Sequence, residues 1–109
     1  CECREGVPAN SPMDVLLREA GSPEGILTML ATPGFVRPEQ WQAQIQSLVQ
    51  RHAEVLVYSS LDADTVKAAH LSPCADISTT LTERMGPETT VAVLPQGPLT
   101  IPYLNGHCE

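Results

Sequence analysis

The chain has 109 residues, six basic against thirteen acidic, for a net charge of −7 with histidine neutral. That length suits one domain of the usual ~100–150 residues with one modest core. The acidic balance argues against a nucleic-acid or anionic-membrane partner, both of which need a cationic face, and no apolar run approaches the ~20 residues of a membrane-spanning helix.

The chain opens on Cys1-Glu2-Cys3-Arg4-Glu5-Gly6, which reads as the end of a strand running into a loop. A strand cannot begin there without its upstream half, so the expectation is a piece of a longer protein. Ser11-Pro12-Met13-Asp14 then starts a helix. Ser11 can accept from first-turn N–H groups, Pro12 has its φ preset, and Asp14 complements the positive helix end. Met13, Leu16, Leu17 and Ala20 form one apolar stripe, and Gly21 is the natural stop. Ser22-Pro23-Glu24 repeats the start signal, with Ile26, Leu27 and Leu30 as the apolar side, and Thr32-Pro33-Gly34 ends that helix.

The third predicted helix runs from Pro38 to Arg51. Its expected buried stripe is Trp41, Ile45, Leu48 and Val49, with the glutamines facing outward. Val55-Leu56-Val57-Tyr58 is continuous, apolar and rich in β-branched residues, the pattern of a strand covered on both faces. Leu61-Asp62 opens the next helix, with Asp62 as cap and Leu61 and Val66 placed as a hydrophobic staple. After a link at Pro73-Cys74-Ala75, Asp76 caps a helix whose stripe is Ile77, Leu81 and Met85, closed by Gly86-Pro87. Val91-Ala92-Val93-Leu94 reads as a second buried strand. Pro95-Gln96-Gly97-Pro98 breaks it, and Leu99-Thr100-Ile101 adds a short edge piece.

Apolar strands alternating with helices imply parallel pairing with right-handed crossovers. The predicted fold is α/β, a small three-layer αβα domain with a mostly parallel sheet of three or four strands, over residues 1–104, with 105–109 as a tail. Ligands would settle at the carboxyl ends of the strands, namely Arg4 to Asn10, Ser59-Ser60 and Pro95 to Pro98.

The chemistry-bearing residues form no complete constellation. There is no dinucleotide fingerprint, phosphate loop or nucleophile elbow. The loop from Gly6 to Asn10 could hold an anion at the helix start near Ser11, although every helix has such an end. His52 and His70 fall near helix C-termini, where the dipole favours an imidazolium, and His107 lies in the tail. Lys67 is read as solvated, and Asp62 and Asp64 as a cap and its exposed neighbour. Cys1-Glu2-Cys3 lacks the two-residue spacer of common zinc knuckles, and no second pair answers it. Cys1, Cys3, Cys74 and Cys108 are therefore read as structural or incidental thiols of a cytoplasmic chain, with a metal site on Cys1 and Cys3 as the alternative. Trp41 follows an Arg-Pro loop in the first turn of its helix. It either edges a cleft, covering a flat ring or small acid, or serves as a half-buried core anchor.

The segment Pro38-Glu39-Gln40-Trp41-Gln42-Ala43-Gln44-Ile45 resembles the corresponding helix of the nickel-pincer-nucleotide-dependent lactate racemase family. The surrounding order is similar to that family's C-terminal domain: the strand end and its loop, the Ser-Pro helices, Val55 to Ser59, Asp62-Ala63-Asp64, and Val93-Leu94-Pro95-Gln96-Gly97. The resemblance covers nearly the whole chain. It implies a two-domain racemase of lactate-type 2-hydroxy acids with its site between domains. There the pincer ring that holds a nickel ion would take a hydride from the substrate α-carbon while a histidine removes the hydroxyl proton. The acid/base histidines, the nickel ligand and the tether lysine would belong to the N-terminal domain of the parent chain, this chain's expected partner. No catalytic or metal residue, and no bound cofactor, is expected within these 109 residues, and Trp41 would line the cleft. The alternative is a free-standing α/β small-molecule-binding or protein-interaction domain without catalysis. A phosphoacceptor receiver does not fit, since neither the aspartate nor the lysine it requires stands at Val57-Tyr58-Ser59 or Leu94-Pro95-Gln96.

Overall fold

Each proline-led helix start forms as its side chains dictate in the computed structural model, which describes Cys3 and residues 6–103. Helix α1 (Pro12–Ala20) is capped by Ser11, whose hydroxyl accepts from the Asp14 N–H, and closes on Gly21 at φ 68°. That left-handed backbone carries little penalty only in glycine. Helix α2 (Pro23–Leu30) is capped the same way by Ser22, which accepts from the Gly25 N–H. The elbow between them is tight, because a Cβ at Gly25 would run into the Ala20 carbonyl oxygen. Leu16, Leu17 and Ile26 are buried here, with Met13, Ala20, Met29, Leu30 and Phe35 packed around them.

Helix α3 (Gln40–Gln50) packs on both α1 and α2. It starts two residues later than the sequence suggests. Glu39 precedes it at φ 61° without a side-chain cap. The Glu39 carboxylate instead accepts from the Met13 N–H at 3.1 Å, so the entrance of α3 caps the first turn of α1.

Strand β1 (Leu56–Val57) follows, then helix α4 (Ala63–Ala68), strand β2 (Ser72–Pro73) and helix α5 (Ile77–Arg84). Asp62 and Asp76 cap α4 and α5 by accepting from the N–H groups of Thr65 and Thr79. The strands pair in parallel, Leu56 opposite Ser72 and Val57 opposite Pro73. The N–H groups of Ser72 and Cys74 donate to the carbonyls of Val55 and Val57. Between them Pro73 sits where the ladder requires no donor, which is why a proline is tolerated.

This architecture corrects the expected three-layer αβα domain. Among the described residues there are five α-helices and one two-stranded sheet. Val91 to Leu94 makes no ladder and is exposed, and Gly97–Leu99 forms a 3₁₀ turn where an edge piece was expected. An apolar β-branched run becomes a strand only where a neighbour supplies hydrogen bonds, and among the described residues none reaches this one. The upstream strand, apart from Cys3, and the tail at 105–109 lie outside the described residues.

Helix α5 is the second correction. Its stripe of Ile77, Leu81 and Met85 is about half exposed instead of buried. The helix is tethered by an Arg84–Glu54 ion pair of 2.7 Å and by the 3.3 Å approach of the Cys74 thiol to the Thr80 hydroxyl. The radius of gyration is 16.3 Å, against about 13 Å for a compact chain of this length. Much of the C-terminal part therefore remains unpacked against the helical core. No helix among the described residues is long and apolar enough to cross a membrane.

Candidate functional site

The side of α3 that faces solvent is the one the sequence assigns to the core. Trp41 is 60% exposed, Ile45 56%, Leu48 45% and Val49 51%, whereas Ala43 and Ser47 are fully buried. At about 100° per residue the two sets lie nearly half a turn apart. The expected burial of the Trp41 stripe is thus corrected. Small Ala43 and Ser47 let α3 approach its neighbours closely, while the wide apolar stripe points away from them. Side chains of this kind gain roughly 1.5–3 kcal/mol each on full burial, so the arrangement forgoes a substantial stabilisation.

Gln42 and Gln44 face outward as expected, whereas Gln46 and Gln50 turn inward. Gln46 Nε2 donates to the Ala69 carbonyl at 2.7 Å, and Gln50 Nε2 donates to the His70 carbonyl at 2.6 Å. Those carbonyls lie at the end of α4, where helical acceptors have no partner within their own helix. His70 stands there at φ 60°, a conformation unusual for a non-glycine residue. The signal for these two residues was present in the sequence: Gln42, Gln46 and Gln50 recur every fourth position beside the small Ala43 and Ser47.

The histidines assigned to helix ends come together at one groove. It has a volume of about 410 Å³ and is lined by Gln50, Arg51, His52, Glu54, His70 and Ser72 among others. Burial pushes the His70 imidazole below its ordinary pKa, opposed by a ring hydrogen bond to the Leu17 carbonyl. Its Nδ1 is buried without a hydrogen-bond partner. The Arg84 guanidinium, and then the Ser72 hydroxyl, hold Glu54 below the usual carboxylate range. Glu54 is therefore committed to its cation and is not poised to take a proton from a histidine.

A second hollow, of about 330 Å³, lies at the carboxyl ends of the two strands, with Val57, Ser59, Leu61, Val66, Pro73 and Cys74 in its wall. Cys3 reaches this end of the sheet, its N–H donating to the Ser60 hydroxyl at 3.2 Å. The hollow lies at the Ser59-Ser60 strand end named from the sequence, but no acid or base other than the Cys74 thiol lines it.

Asp62 serves its cap, and hydrogen bonds from Thr65 lower its pKa. Asp64 and Lys67 are exposed on α4, and Lys67 shares a shallow hollow with Arg18 and His70. Cys1, His107 and Cys108 lie outside the described residues. Among the described residues no group of three or more His, Cys, Asp or Glu side chains could hold a metal ion. No step through a metal is derived from these residues. Trp41 stands on a solvent-facing apolar stripe of an uncharged helix.

Compared with protein-family models, curated proteins and solved structures, the chain matches none.

Proposed function

We propose that this chain is the C-terminal part of a racemase of lactate-type 2-hydroxy acids that uses a nickel-pincer nucleotide, and that it forms one wall of an interdomain site. The observation that carries the reading is the outward setting of Trp41 at the head of an uncharged apolar helix face. Such a face gains free energy when a second surface removes it from water. The order of segments around Trp41 is what points to this family and its N-terminal domain as the second surface.

On this reading Trp41 lies over the planar part of the cofactor or substrate, and Ile45, Leu48 and Val49 help keep water from the cleft. The cofactor, the nickel ligand and the acid/base histidines belong to the other domain. The parent works in the cytoplasm, where its thiols stay reduced.

The test has two arms. The 109-residue chain alone should not interconvert D- and L-lactate, and turnover by it would overturn the assignment. In a longer parent carrying the N-terminal domain, Trp41→Ala should lower kcat/KM by at least about tenfold, or ~1.4 kcal/mol of transition-state binding. Its Tm should stay near that of the unsubstituted parent. Unchanged kinetics would remove Trp41 from the cleft.

A second reading, a protein-interaction domain without catalysis, draws on the half-exposed stripe of Ile77, Leu81 and Met85 on α5. A parent without racemase activity that binds another protein through α5 would favour it.

A further inference from the structure

Helix α3 has two faces that could be buried, and the structure buries the less apolar one. The inward face holds Ala43, Ser47, Gln46 and Gln50, and the outward face holds Trp41, Ile45, Leu48 and Val49. The choice has a visible cost, because the Ser47 hydroxyl oxygen and the Gln50 Oε1 are buried without hydrogen-bond partners. Unsatisfied buried polar atoms are rare in proteins and call for a compensating interaction. Two are present on the same face, the amide donations from Gln46 to the Ala69 carbonyl and from Gln50 to the His70 carbonyl.

We propose that Gln46 and Gln50 are positioning residues, a pair of amide bolts that lock α3 in the rotational setting that keeps Trp41 out of the core. The geometry is specific. The two donors are one helical turn apart on α3, and their acceptors are consecutive carbonyls at the end of α4. Ala69, which carries the first acceptor, packs against the core formed by Leu16, Leu17 and Ile26, and His70, which carries the second, stands in the left-handed backbone conformation. Rotating α3 to bury its apolar stripe would carry both amides away and leave two helix-end carbonyls without donors. The consequence for a cleft rests on the reading of Trp41 given above, whereas the lock itself does not.

Trp41 is the only tryptophan, so its fluorescence reports this setting directly in the 109-residue chain. In the double variant Gln46→Ala/Gln50→Ala the bolts are gone while helix propensity is retained. Its Trp41 emission should shift to shorter wavelength and lose acrylamide quenching, with far-ultraviolet helicity preserved. The double variant Gln46→Lys/Gln50→Lys restores a donor that favours helix-end carbonyls, and it should keep the emission and quenching of the unsubstituted chain. An alanine pair that folds with unchanged quenching would overturn the lock. Should the alanine pair unfold, the lysine pair decides: folding with exposed Trp41 supports the lock, and a failure to fold or a protected Trp41 refutes it. Neither result depends on racemase activity, so the lock can fail while the functional reading stands, and the reverse.

Discussion

The α1–α2 elbow and helix α3 start from the same kind of sequence pattern and end with opposite faces in the core. In the elbow the apolar stripe is the buried stripe, with Leu16 and Ile26 fully enclosed. In α3 the stripe is outside and the small and amide residues are inside. Periodicity identifies which face of a helix is apolar. Which face is covered depends on what the rest of the molecule, or a partner, brings to it.

The contrast can be broken most forcefully in the elbow. Ile26→Ala should destabilise the chain by about 2–5 kcal/mol in denaturant unfolding, since it leaves a cavity in a closed core. A loss no larger than that of a surface substitution would mean the elbow is not the core. Gly25→Ala comes next, at roughly 1–3 kcal/mol, because the added methyl meets the Ala20 carbonyl and the elbow must open. Wild-type stability in that variant would show that the helices can separate freely.

His70 sharpens the comparison at the junction of α1, α3 and α4. Burial lowers its folded pKa below the unfolded value, so the unfolded chain binds the proton first as pH falls. The stabilising effect of a neutral His70 is complete above the unfolded pKa near 6.5 and is lost as pH falls through the lower folded value. Unfolding followed between pH 7.5 and 5 should therefore show stability declining toward acid, and His70→Gln should flatten that slope. A slope unchanged by the substitution would place the imidazole in water. The smallest effect is expected at Trp41→Ala in the isolated chain, within about 0.5 kcal/mol, as for a surface site. A loss comparable to that of Ile26→Ala would return the indole to the core.

The legible parts were those determined by neighbouring residues. Ser11, Ser22, Asp62 and Asp76 cap their helices as their positions before Pro or polar first turns indicate, and Gly21 stops α1. What depends on distant partners was not legible. Pro73-Cys74-Ala75 reads as a link because proline suppresses strand propensity, yet Pro73 pairs with Val57 in the sheet. Val91 to Leu94 has the composition of a strand and no neighbour to pair with among the described residues. In the candidate site, Trp41 stood out by being unique and by its place at a helix start. Gln46 and Gln50 did not, because an amide reaching a carbonyl on another helix leaves no local pattern beyond its spacing.

Acrylamide quenching of the single tryptophan in the intact 109-residue chain bears most directly on the claim that α3 turns its apolar face outward. The account predicts water-like emission and efficient quenching. Blue-shifted emission and protection from acrylamide in the isolated chain would show the stripe buried, and would contradict it.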